Sequence, residues 1–149
     1  MTELRDLYQE VILDHNKAPR NFRELDGADR RADGDNPLCG DRLTVFVKLD
    51  GNTITEASFV GSGCAISKAS ASLMTDAVKG KSVPAARQLF EQFHEMVTDR
   101  SVPADSETLG KLVVFEGVRD YPARVKCASL AWHTLHAAID NSHEIATTE

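Results

Sequence analysis

Leu43, Val45, Val47 and Leu49 alternate with Thr44, Phe46 and Lys48, and that period of two predicts a strand with one buried face. Asp50-Gly51-Asn52 is a hairpin turn signal, so residues 53–60 are expected to return as a second strand. Ile54 falls on one parity of that strand and Ala57 and Phe59 on the other, which calls for a bulge near Glu56.

The rest of the chain follows a helical period. Leu4, Leu7, Tyr8, Val11 and His15 share one face of a helix over 3–15. Gly61-Ser62-Gly63-Cys64 ends the second strand and opens a helix over 65–79, which Gly80 stops. Ser82 and Pro84 start another, with Val83, Ala86, Phe90, Phe93 and Val97 as its apolar stripe. Residues 98–105 read as a polar loop and 106–116 as a helix with Leu109, Leu112 and Val113 inward. Pro122 introduces the last helix, 122–140, whose stripe is Val125, Ala128, Trp132, Leu135 and Ile139. Residues 16–38 are polar and rich in turn formers, so a long loop is expected there, and the tail 141–149 is expected to fray. The fold class expected is α+β: one domain over 1–149, a small antiparallel sheet with about five helices covering one face.

Composition narrows the function. A chain of 149 residues with net charge −6 and pI near 5.3 lacks the basic balance that nucleic-acid binding needs, so no nucleic acid is expected as a partner. No apolar run approaches the ~20 residues of a membrane span. The start, MTELRDLYQEVILDH, carries acids and has no apolar signal core. A cytoplasmic location is expected, and three cysteines suit a reducing compartment better than a disulfide framework.

The three thiols are Cys39, Cys64 and Cys127. Cys39 precedes the first strand and Cys64 follows the second. A hairpin brings its open ends together, so Cys39, Asp41 and Cys64 should meet at one end of the sheet. Cys127 lies early in the last helix, at the edge of its packed stripe, where it could reach the others. Three thiolates and a carboxylate make a tetrahedral zinc site. The competing reading is three unrelated core cysteines, but a Pro-Leu-Cys-Gly-Asp turn is a poor place for a core thiol. Gly-Ser-Gly-Cys precedes a helix start, but without GK[ST] or GxGxxG it does not read as a nucleotide loop. Its cysteine sits near a helix N-terminus, whose dipole favours a negative sulfur. Arg124 and Lys126 flank Cys127; Arg124 shares its helix face, whereas Lys126 reads as a solvated residue. His15 reads as a packed or capping histidine, Asp33 and Asp35 as turn residues, and the remaining histidines receive no role.

LYQEVILDHNKAPRNF, NPLCGD, GSGCAISKASASLM and YPARVKCASLAW together resemble the SufU proteins, relatives of the IscU iron–sulfur scaffold in the IscU/NifU N-terminal-like family. The likeness spans about residues 4–140. The long separation of Cys64 from Cys127 and the Lys126 that stands where IscU has a histidine both resemble the SufU branch. The resemblance implies an IscU-like sandwich and a zinc ion held by Cys39, Asp41, Cys64 and Cys127. It implies a zinc-dependent sulfurtransferase that takes persulfide sulfur on Cys39 from a PLP-dependent SufS-type cysteine desulfurase, with Arg124 assisting. The sulfur would pass to a downstream iron–sulfur scaffold of the SufBCD type. The alternative is an IscU-like scaffold on which a [2Fe–2S] cluster is assembled on the same cysteines.

Overall fold

The computed structural model describes residues 2–37, 40–99, 101–103, 105–141 and 146–147, with side chains from residue 8 to residue 141. The order of elements is α1 (Thr2–Lys17), β1 (Arg30–Asn36), β2 (Asp41–Asp50), β3 (Thr53–Ser62), α2 (Ala65–Val78), α3 (Val83–Thr98), α4 (Ser106–Leu109), a 3-10 stretch (Gly110–Asp120), α5 (Pro122–Ile139) and β4 (Ala146–Thr147). The sheet runs β3-β2-β1-β4; its first three strands are antiparallel and the two-residue β4 joins β1 in parallel. The α+β class and helix-covered antiparallel sheet expected from the sequence are therefore present.

The β2–β3 hairpin pairs Lys48 with Glu56 and Leu49 with Ile54, so one extra residue of β3 is bulged out beside Glu56. That bulge turns Ile54, Ala57 and Phe59 to one face, and all three are buried with Leu43, Val45 and Val47. Helix α5 lies against β1 and β2 and also contacts α2 and α3. It is buried on most of its circumference: every residue from Cys127 to Trp132 is inaccessible or nearly so. Trp132 stacks on Phe93 at 5.0 Å between ring centres, and Phe93 meets Phe115 edge to face, so α3 and the 3-10 stretch close the core beyond α5.

Three expectations need correcting. Residues 16–38 are not all loop, because 30–36 form β1. Its buried positions are Ala32, Gly34 and Asn36, which alternate with exposed or half-buried Arg31, Asp33 and Asp35. A strand whose inward residues are small or polar shows no hydrophobic alternation. The reason for small residues is close approach: a Cβ on Gly34 would collide with Thr134 Oγ1 and lie 3.2 Å from Leu130 Cδ1 of α5. Asp33 and Asp35 are accordingly strand residues, with Asp33 accepting a hydrogen bond from Thr44 Oγ1 at 2.7 Å. The helix expected over 106–116 is one turn of α-helix followed by 3-10 turns to Asp120. Gly110 interrupts it at φ +57°, a conformation other residues avoid. Lastly, the tail includes the β4 bridge at 146–147.

The segment between α1 and β1 is tied to α2. The Arg20 backbone N–H donates to Ser72 Oγ at 2.8 Å, and Asn21 Nδ2 donates to Thr75 Oγ1 at 3.0 Å. His15 is buried with Nδ1 2.7 Å from the same Ser72 hydroxyl. This is the packed histidine expected from the pattern. Burial, and then the nearby Arg20 guanidinium, push its pKa below the ordinary value of 6.5. Burial also lowers the pKa of His133 and of His136, with neighbouring His94 and Arg87 acting in the same direction.

A histidine held neutral in the folded state binds fewer protons than the unfolded chain below pH ~6.5. Stability is therefore fully present above that pH and lost as pH falls toward the lower folded values. Urea midpoints are expected to drop between about pH 8 and about pH 5.5, and His15→Gln should shrink the drop. An unchanged pH dependence in that variant would show that His15 is not held neutral.

Candidate metal centre

β2 directs residues 43, 45 and 47 into the core, and Asp41 continues the same parity. Its carboxylate is consequently fully buried at the end of an apolar row. Across the sheet the row continues in register: Ala32 faces Val45, Gly34 faces Leu43 and Asn36 faces Asp41. On the other side Arg42 pairs with Ser62, so the chain leaving β3 passes directly beside Asp41. The Cys64 backbone N–H donates to Asp41 Oδ1 at 2.8 Å.

Gly63 makes that approach possible. A Cβ there would lie 2.6 Å from Asp41 Oδ1. Gly61, at φ +143°, passes so close to the Arg42 carbonyl that no Cβ would fit. These are the physical reasons for the two glycines before Cys64, and neither concerns phosphate.

Cys64 is the N-cap of α2, with φ −71° and ψ 169°. Its sulfur accepts the Ser67 backbone N–H at 3.4 Å. The thiol thus occupies the acceptor position that Ser or Asp fills in most helices and stays half-buried. Cys127 arrives from α5. The face of α5 that packs on Gly34 carries Leu130 and Thr134, and one turn earlier the same face carries Cys127. Its sulfur is fully buried, 3.8 Å from Asn36 Nδ2, and its S–H donates to the Ala123 carbonyl at 3.7 Å.

Asp41, Cys64 and Cys127 therefore converge, with one ligand atom from each within 4.8 Å of the others. Cys39, expected as the fourth member, lies outside the described residues. Arg124 is exposed one helical turn before Cys127. It lines a cavity of about 420 Å³ together with Tyr8, Ile12, Ile66, Arg119 and Tyr121. Lys126 is half-buried on the same helix. His94, His133 and His136 gather around Phe90 on α3 and α5, apart from this group.

The donor set suits a cation. A buried carboxylate is unfavourable unless it is paired or coordinated, and no ion pair reaches Asp41 among the described residues. Ligands 2.3 Å from a tetrahedral zinc ion lie about 3.8 Å apart, and Cys64 Sγ is 4.0 Å from Asp41 Oδ2. That pair is spaced as two ligands of one zinc ion would be, and Cys127 supplies a third donor within 4.8 Å of both. Sequence reasoning missed Asn36, whose only outward signal was its place between two aspartates and a proline.

Gly63→Ala is expected to push the Asp41 carboxylate aside, lowering stability by about 1–3 kcal/mol and weakening metal uptake. Gly117→Ala, where a Cβ meets nothing within 4 Å, should stay within about 0.5 kcal/mol of the parent. Urea denaturation and cobalt titration check both; equal behaviour of the two variants would remove Gly63 from the site.

The chain matches the family model for the NifU-like N-terminal domain over residues 7–128. It is 43% identical over 142 residues to the iron–sulfur cluster assembly scaffold protein IscU of Streptococcus pyogenes serotype M1, covering 95% of this chain and 88% of the relative. It is equally 43% identical over 136 residues to the zinc-dependent sulfurtransferase SufU of Bacillus subtilis strain 168, covering 91% of each. Among solved structures, a crystal structure described as a putative iron–sulfur cluster assembly scaffold protein for the SUF system (FiSufU), from Fervidobacterium islandicum AW-1, superposes with a TM-score of 0.81 at 34% identity. That match covers 87% of this chain and 94% of the other. With its three antiparallel strands joined by the short parallel β4, its helical layer and its Asp-Cys-Cys group, this chain belongs to the NifU-like N-terminal domain family.

Proposed function

We propose that the protein is a zinc-dependent sulfur acceptor in iron–sulfur cluster assembly, serving a SufS-type cysteine desulfurase. The observation that carries this reading is the donor set at Asp41, Cys64 and Cys127, one buried oxygen and two sulfurs spaced for a single ion. The B. subtilis relative named as a zinc-dependent sulfurtransferase supports it. Cys39, two residues before Asp41, is the natural fourth ligand and the sulfur acceptor. Zinc, when bound, is a Lewis acid that favours the deprotonated form of its thiol ligands.

Sulfur transfer requires little else of the chain. The Cys39 thiolate attacks the outer sulfur of a persulfide carried by the desulfurase. The donor's S–S bond breaks, its cysteine leaves as a thiolate, and the persulfide now resides on Cys39 with no net oxidation or reduction. The Gly40 beside it has φ +71° and open space around it, leaving room for an incoming donor. Arg124 stands exposed at a cavity whose wall includes Ile66, two residues after Cys64, where a guanidinium would attract an anionic persulfide. The acceptor would then pass its sulfur to a scaffold of the SufBCD type.

The second reading, a scaffold that carries a [2Fe–2S] cluster, is favoured by the equal identity to the S. pyogenes IscU. Metal analysis after anaerobic purification separates the two. Zinc sulfur transfer predicts about one zinc per chain, no visible absorption, and a stimulated desulfurase turnover that Cys39→Ser abolishes. Iron with acid-labile sulfide, and no stimulation, would reverse the choice. Arg124→Ala should slow transfer about fivefold, the worth of a single exposed charge interaction of ~1 kcal/mol, without loss of zinc. Loss of zinc in that variant would make Arg124 a support for the metal instead.

A further inference from the structure

The amide of Asn36 is fully buried at the end of β1, and sulfur transfer as proposed makes no use of it. Its Nδ2 lies 3.4 Å from Asp41 Oδ2 and 3.8 Å from Cys127 Sγ. An amide nitrogen carries two N–H groups. Here they face two prospective anions brought from different elements, β2 and α5.

The opposite end of the amide is as informative. Asn36 Oδ1 is buried and has no hydrogen-bond partner among the described residues. A buried acceptor left unpaired is unfavourable, so this end of the amide weakens the fold. The reversed orientation would turn Oδ1 toward a carboxylate and a sulfur, acceptor against acceptor. The retained orientation makes sense if both neighbours are held as negative ligands.

We propose that Asn36 is a positioning residue of the metal centre, donating one N–H to the Asp41 carboxylate and one to the Cys127 sulfur. This rests on the zinc reading above. The Ser67 N–H does the same for Cys64. Donation to a ligand sulfur draws negative charge from it, which makes it a weaker nucleophile and a more stable ligand. Cys64 and Cys127 are thereby kept as resident ligands rather than sulfur acceptors.

The test replaces Asn36 by Leu, which keeps the volume, and by Ala, which does not. Metal-free protein is titrated with cobalt(II) against a competing chelator while the sulfur-to-cobalt charge-transfer band is recorded. Both variants should bind cobalt about 10- to 100-fold more weakly, the usual effect of losing a partner of a metal ligand. The band should move to longer wavelength, because a sulfur without its donor gives up an electron more readily. The metal-free Asn36→Leu protein should remain folded and melt close to the parent, because the donor lost to Asp41 is offset by removal of the unpaired Oδ1. Wild-type affinity and an unmoved band in both variants overturn the inference. So does wild-type affinity in Asn36→Leu alone, which would make the role one of packing, and so does loss of the metal-free fold in both. A wild-type chain that takes up no cobalt overturns the zinc reading itself and this inference with it.

Discussion

A carboxylate at a core-facing position is the constraint on which this end of the molecule depends. β2 sends Leu43, Val45 and Val47 inward, and the same pleat sends Asp41 inward. The charge is tolerated because its oxygens are met at once by a backbone N–H and an amide N–H. Those donors dictate much of the surrounding chain. The Cys64 N–H can reach Asp41 only if β3 ends beside it, if Gly63 carries no Cβ, and if α2 begins where Cys64 can cap it. Moving the carboxylate by one residue would place it on the opposite face and undo each of these relations.

The centre is also an extension of the core. Helix α5 packs on β1 because Gly34 leaves room for Thr134 and Leu130. The same contact sets the height and rotation of α5, and one turn back toward its N-terminus that rotation delivers Cys127 over Asn36. The packing that holds the sheet and helices together therefore also sets where the Cys127 sulfur stands relative to Asp41 and Cys64. The described donor side chains at this centre come from a strand and two helix starts, and their hydrogen bonds come from neighbouring backbone and one buried amide, an arrangement that holds them in place before anything binds. The aromatic cluster of Phe90, Phe93 and Trp132 closes the core further along α5, and the histidines around Phe90 belong to that region.

The donor types bear on the chemistry. Thiolates alone would suit iron–sulfur clusters as well as zinc, while a carboxylate among them is a harder, more easily exchanged ligand. Relatives of equal identity carry names from both sides of that divide. The sulfurs of Cys64 and Cys127 each face an N–H donor, which favours their negative form.

Periodicity alone determined the elements whose buried face is apolar: the β2–β3 hairpin with its bulge, α2, α3 and α5. It also determined that Asp41 and Cys64 meet, because a hairpin must join its open ends. The order of the cysteine segments carried the family. Tertiary structure alone decided the rest. β1 was invisible because Ala32, Gly34 and Asn36 are inward yet carry no hydrophobic signal. The break of the 106–116 helix into 3-10 turns reflects Gly110 and packing against α3 rather than propensity. Cys127 and Asn36 lie 91 residues apart, and only the close fit of α5 onto a strand of small residues brings their side chains together. Local pattern reports which face of an element is apolar; it does not report how near two elements can come, and here that distance sets the site.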